Sequence, residues 1–292
     1  MISEAAALVD STDAPAGVRA AHTAPGPGGS PSGGVRALAA AAAAWFAVAA
    51  LGQAMFAAYV IAAYGSSIVL GQLERWNRHF PPGHGYIPGD ALGNLALGLH
   101  LSLVAVVMLG GVVQLVPGLR RRWPVFHRWT GRVYLAAVVI VSAGGLILNA
   151  TRAPIGTPAQ NVATRINALL ILGFAAMALH RAREGRIDLH RRWALRLFLA
   201  ASGVWFIRLM WWLWAVVVRG LGYEPGEFDG AFTVMNFAQF LLPLLVLELY
   251  FRAQDGGGPR RRIAMAATLG GLTIATAVAI VAVTLKLWLP RL

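Results

Sequence analysis

The sequence predicts an all-α fold, a polytopic bundle of about seven transmembrane helices with its N-terminus in the cytoplasm. Three observations carry that reading. Of 292 residues, 58% are hydrophobic and 13% charged, and the mean hydropathy is +0.62. A water-soluble domain of this size could not keep so much apolar surface out of solvent. The apolar residues also gather into runs long enough to cross about 30 Å of hydrocarbon at about 1.5 Å per residue. Finally, arginines crowd every second loop between those runs, which is the mark of a chain threaded back and forth through a bilayer.

Charge and cysteine content narrow the class further. The net charge is +13, and of the 25 basic residues only Lys286 is not arginine. In a soluble protein a pI near 11.4 would suggest nucleic acid. Here the arginines flank apolar spans, so topology accounts for them and no nucleic-acid partner is expected. Cysteine is absent, which excludes disulfides, thiolate metal sites, iron–sulfur clusters and cysteine nucleophiles.

Residues 1–36 are rich in Ala, Gly, Pro, Ser and Thr and end in HTAPGPGGSPSGG before the first apolar run. No periodicity survives there, so the stretch reads as a disordered cytoplasmic tail rather than a signal peptide. The transmembrane domain occupies 37–292. Its spans fall near 37–63, 92–116, 128–149, 163–180, 193–218, 231–251 and 263–288. Span one is a poly-Ala stretch whose small side chains suit close helix packing. Arg120, Arg121, Arg122 and Arg128 follow span two. Arg181, Arg183, Arg186, Arg191 and Arg192 follow span four, and Arg252, Arg260, Arg261 and Arg262 follow span six. The opposite loops hold fewer, namely Arg75 and Arg78, Arg152 and Arg165, then Arg219. The positive-inside rule therefore places the N-terminus in the cytoplasm and the C-terminus outside a bacterial plasma membrane. The long outer loop, about 64–91, carries Trp76, Phe80 and Tyr86 for the headgroup level, together with His79 and His84. The acidic outer loop with Glu224, Glu227 and Asp229 reads as a solvated turn.

Polar side chains inside the spans are costly and mark candidate sites. Spans two to five (92–218) form the polar-seamed core. At 100° per residue, His100, Val104, Val107, Gly111 and Gln114 share one stripe of span two. His127, Gly131, Tyr134, Val138 and Gly145 share one in span three. His190, Ala194, Leu197, Ala201 and Arg208 do so in span five, counted as an unbroken helix. Depth divides these residues into two layers. His127, His190 and Gln114 lie at the cytoplasmic ends, while His100 and Arg208 lie about 26 Å away toward the outer face. Asn236 and Gln239 of span six come within reach of Arg208 on this count.

Two arginine-rich runs organise the rest: LRRRWPVFHRWTGR at Leu119–Arg132 and DLHRRWALR at Asp188–Arg196. Each puts a histidine at the mouth of an apolar helix, on co-directional spans and at matching depth. Facing imidazoles on bundle helices are a usual way to hold haem iron, so His127 and His190 are expected to ligate a b-type haem, with arginines nearby for the propionates. A second reading makes both histidines interfacial caps, bonding backbone carbonyls or lipid phosphate while Arg128, Arg132, Arg191 and Arg192 reach anionic headgroups. A third makes His100 and Arg208 an anion, quinone or proton-relay site in a cofactor-free transporter or carrier, and a fourth a structural membrane interaction protein in which these groups only stabilise packing. For Arg208, snorkelling to the outer interface competes. A zinc site of His127, His180 and His190 is disfavoured by the surrounding arginines. Glu248 is expected to pair with Arg252 or an inner-loop arginine. Trp205, Trp211, Trp212 and Trp214 suit an outer aromatic belt. No phosphate loop, catalytic carboxylate pair or Ser/His/Asp signature is evident, so hydrolase or kinase chemistry has no support in the sequence.

His100, GGVVQ at Gly110–Gln114, Arg120, HRWTGRVY at His127–Tyr134, Gly144–Gly145, HRRWALR at His190–Arg196 and Arg208 recur as a set. In this combination the chain resembles the bacterial membrane family known as domain of unknown function 2306. That resemblance implies fold and membrane location and carries no assigned activity. The placing of His100, His127, His180 and His190 on or beside four successive spans is also loosely similar to ascorbate-reducible di-haem cytochromes b, in which four core helices each supply a ligand. His100 and His180 differ in depth, a departure that leaves only the inner pair as a match.

Overall fold

The computed structural model describes residues 33–152, 156–223 and 230–292. Residues 1–32 of the expected tail, and Glu224, Glu227 and Asp229, lie outside the described residues. Helix α1 (Gly33–Val60) starts inside the stretch read as tail and continues through a π-helical turn, Ile61–Gly65, into α2 (Ser66–Val69). After a loop come α3 (Ala91–Leu115), the short α4 (Pro117–Arg122) and α5 (Pro124–Thr151). Then follow α6 (Pro158–Arg183), α7 (Ile187–Ala201), α8 (Gly203–Gly220), α9 (Ala231–Gly256) and α10 (Pro259–Val283). Seven of the helical stretches are long and apolar enough to cross a membrane, and no strand occurs among the described residues.

Helix starts follow local chemistry. Proline occupies the first turn of α4, α5, α6 and α10, where its missing N–H is not needed. Thr157 and Gln160 form a capping box at α6, and Asp90 caps α3 by accepting from the Gly93 amide at 2.9 Å. The small residues of α1 let it lie along α10. Ala49 is fully buried, and a Cβ at Gly52 would run into Ile280 and come within 2.8 Å of Trp205 Cζ2. Helix α3 packs on α1, α5 and α7, which places it at the middle of the bundle.

Span five departs from the unbroken helix assumed above. It stops at Ser202 (φ −79°, ψ 1°) and restarts at Gly203. A Ser–Gly pair is a common site of such a break. The Ser202 hydroxyl donates to Phe198 O at 2.7 Å, competing with the backbone ladder, and accepts from Gln53 Nε2 of α1 at 3.0 Å. Asn167 Nδ2 of α6 donates to Ala200 O at 3.3 Å. The stripe from His190 to Arg208, counted along one unbroken helix, therefore crosses a break at Ser202.

The loop before α3 is clamped from below by Arg152 at the end of α5. Its guanidinium pairs with Asp90 Oδ2 at 3.0 Å and donates to His84 O (3.1 Å), Gly85 O (2.6 Å) and Asn94 Oδ1 (2.9 Å). A Cβ at Gly93 would fall 2.7 Å from Arg152 Nε, so only glycine admits the clamp. The same loop drops Trp76 inward until 1% of it is exposed, 3.3 Å from the Cβ position of Gly98. Trp76 is thus a core residue rather than a headgroup anchor. Further along, His79 sits edge-on to Tyr64, with ring centroids 5.0 Å apart.

Two outcomes follow for stability. Arg152→Met leaves the carbonyls of His84 and Gly85 and the Asp90 carboxylate without their donor. The expected cost is about 2–4 kcal/mol, read as a fall in the thermal midpoint in detergent and faster proteolysis between residues 79 and 90. An unchanged midpoint would show that the loop does not depend on the clamp. Burial, then Arg291 and Arg78, hold the His79 pKa below the ordinary imidazole value of 6.5. The unfolded chain therefore takes up this proton first as pH falls, so the contribution is intact above pH about 6.5 and lost progressively below it. Comparing midpoints at about pH 7.5 and pH 5.5, the wild type should lose more than His79→Gln; equal losses would remove His79 from the account.

Candidate functional site

Gly111 of α3 gives a common mark for depth. A Cβ built there would lie 2.9 Å from Phe198 Cδ2 of α7 and 3.4 Å from Tyr134 Cε2 of α5. Both rings converge on this level. His127 lies seven residues before Tyr134, and His190 eight before Phe198. At about 1.5 Å per residue both imidazoles sit about 10–12 Å toward the arginine-rich end, just past the end of α3. In the other direction, His100 lies eleven residues from Gly111 and Arg208 ten from Phe198, about 15–16 Å toward the opposite end. The two-layer arrangement read from the sequence is therefore present in the fold.

The inner layer is built on α5 and α7. His127 and His190 are close enough for the charge on one to act on the other, and Arg120 of α4 acts on His127 too. His190 Nδ1 lies 2.8 Å from Ala178 O of α6. A carbonyl only accepts, so Nδ1 carries a proton, and in the neutral ring the lone pair is on Nε2. His127 Nδ1 is buried without a hydrogen-bond partner. Gln114 Nε2 donates to Thr130 Oγ1 at 2.6 Å and to His127 O at 3.3 Å, fixing the start of α5 against the end of α3. A Cβ at Gly131 would come 3.0 Å from Gln114 Oε1, so this glycine makes room for the amide. An open groove of about 740 Å³ flanks the layer, lined by Val113, Leu119, Arg122, Trp123 and Phe126 among others.

The arginines of this end divide into two sets. Arg192 of α7 grips both oxygens of Asp255 at 2.6 Å, and Arg196 pairs with Glu248 of α9 at 2.6 Å. Both also stack on Phe251. Glu248 thus takes Arg196 rather than Arg252, and Arg192 is committed to α9 rather than to headgroups. The pairing was findable, since Glu248 is an acidic residue within a span and needs a cation at its own depth. Arg120, Arg121 and Arg122 are exposed and make no ion pair among the described residues. His180 pairs with Glu184 at 3.1 Å on a side chain 58% exposed, so it belongs to the surface of the α6–α7 turn. The Arg181 hydrogen bond to Glu184 at 2.7 Å holds that carboxylate's pKa below its ordinary value.

In the outer layer His100 Nδ1 donates to Val141 O of α5 at 3.1 Å, and Gly145 lies beside its ring. Arg208 is near enough to His100 for its charge to be felt there. The guanidinium stacks over Phe56 of α1 at 5.1 Å and donates to Val204 O at 2.6 Å. Asn236 Nδ2 turns back to Phe232 O at 2.8 Å, and Gln239 Nε2 to Asn236 O at 2.9 Å. Arg208 therefore faces α1, while these two amides bond within α9. Trp205 is fully buried against Gly52 and takes no part in an aromatic belt.

No curated protein and no solved structure matches the chain. A family model described as a predicted membrane protein (DUF2306) matches residues 97–251, just over half of the 292 residues. The matched segment runs from α3 into α9 and contains His100, Gln114, His127, His190, Arg208 and Asn236. This chain is a member of the DUF2306 family of multi-pass membrane proteins.

Proposed function

We propose that this chain is a b-type haem-binding, electron-transfer protein of the bacterial plasma membrane, with His127 and His190 as the axial ligands. The observation that supports it is the chemistry of the inner pair. Two imidazoles from different helices lie together at one depth, one with its tautomer fixed by a carbonyl and the other with a buried, unanswered ring nitrogen. Histidine ligands to a metal characteristically hold the remaining N–H on a backbone carbonyl or carboxylate, and Ala178 O plays that part for His190. Bound there, haem would supply one-electron transfer at the membrane face.

The chain's own groups do the rest. The rings of Tyr134 and Phe198, one on each histidine-bearing helix, meet at Gly111 between the pair and the outer layer. Gln114 fixes the first turn of α5 and so the position of His127. Arg120 offers a positive partner for a propionate that no described carboxylate competes for. Arg120, Arg121 and Arg122 lie on the face that the positive-inside rule assigns to the cytoplasm, where anionic headgroups are a second set of partners.

A reduced-minus-oxidised absorption spectrum of detergent-purified protein, expressed with ample haem precursor, decides the matter. Wild type should show a Soret band and near-stoichiometric haem. His127→Ala and His190→Ala should each lose at least about tenfold in haem content, the scale expected when a ligand or its support is removed. Absence of any haem band in folded wild-type protein would end the proposal and leave the histidines as interfacial caps. A full band in both alanine variants would end the ligand assignment.

A further inference from the structure

We propose that the outer layer around Arg208 is a binding site for an oxyanion, a carboxylate or phosphate, reached from the end opposite the arginine-rich loops. The site is independent of the histidine pair and about 26 Å from it. Its first feature is the direction of Arg208. A snorkelling arginine would carry its charge toward the nearer interface. Arg208 Nη1 instead reaches Val204 O, one turn back toward the bundle centre. The charge is held inside the protein.

Its second feature is the lack of a counter-charge. Arg208 makes no ion pair among the described residues, and the cation nearest in effect is another arginine, Arg291 at the end of the chain. Near Arg208 stand Tyr59, Tyr64 and His100. Arg291 is exposed and solvated, but Arg208 is a cation within an apolar span, and such a charge calls for an anion.

The third feature is an excess of donors. Trp288 packs on Phe56 and Tyr59, with ring centroids 5.5 and 6.1 Å apart, and its indole N–H is buried without an acceptor. Thr284 Oγ1, one turn before it, is buried and unpartnered too. Indole N–H and guanidinium N–H only donate, so no rotation of these groups satisfies them from within. A ligand rich in acceptor oxygens satisfies the charge and the donors together. A neutral carbonyl ligand would answer the donors and leave Arg208 uncompensated.

The oxyanion could be the phosphate of a lipid or a free organic acid, and the test separates them. Thermal unfolding would be followed in a non-ionic detergent with benzoate, with inorganic phosphate, and with added phosphatidylglycerol against phosphatidylcholine. The expected result is a saturable rise in midpoint with at least one anionic probe and none with phosphatidylcholine. A response to phosphatidylglycerol alone assigns the site to lipid, and one to benzoate or phosphate assigns it to a free anion. Arg208→Gln should weaken the responding probe at least about tenfold, since a charge-assisted contact is lost. If that variant fails to fold, Trp288→Phe keeps the ring, removes one donor, and should weaken it about threefold or more. No saturable response in the wild type, or the same response in the folded variants, would overturn the proposal.

Discussion

The close approach at Gly111 is the constraint on which the arrangement of this bundle depends. In lipid there is no hydrophobic gain from bringing helices together, so association rests on packing and on interhelical polar contacts. At Gly111 the absence of a side chain lets Tyr134 of α5 and Phe198 of α7 meet on α3. With that level fixed, the rise of each helix sets the depth of every polar group above and below it. A Cβ at this glycine would force the Phe198 ring to move while pressing into contact with Tyr134.

Two polar regions result, one at each end, and they differ in chemistry. The end rich in arginine contains acidic partners for some of its cations, Asp255 for Arg192 and Glu248 for Arg196, and those pairs bind α7 to α9. Pairs of this sort hold helices in register and are weak evidence of anything further. What remains there after pairing is the two imidazoles and the exposed arginines of α4. At the other end Arg208, within a span, has no acidic partner among the described residues, and the indole N–H of Trp288 is buried without an acceptor. Paired charges account for architecture, and unpaired ones point to ligands.

Much of this was legible in the sequence because it follows from period and length. Seven apolar runs, the arginine alternation, and the depths of His100, His127, His190 and Arg208 all come from counting at a fixed rise per residue. The side on which a residue faces was less legible. The face shared by His190 and Arg208 assumed an intact helix, and the structure breaks it at Ser202–Gly203. The Ser–Gly pair is a local sign of such a break, whereas the hydrogen bond from Gln53, some 150 positions earlier in the chain, is not legible from any local pattern. Arg152 read as a sparse outer-loop charge and proved to hold three groups of the loop before α3, together with Asn94 in the first turn of α3. Trp205 and Trp76 read as belt residues, because an apolar aromatic near a span end looks the same in sequence whether it faces lipid or core.

The central claim is that the histidines at the mouths of α5 and α7 lie together at one depth, separated along the bundle from the Arg208 layer. The absence of cysteine from the chain makes this directly measurable. Single cysteines introduced in pairs at positions 127 and 190, and at 127 and 208, can carry spin labels in lipid nanodiscs for pulsed-resonance distances. The 127/190 pair should give the shorter distance by well over about 10 Å, since the two layers differ in depth by about 26 Å. Equal distances, or a longer one for 127/190, would contradict the arrangement from which both proposed sites are drawn.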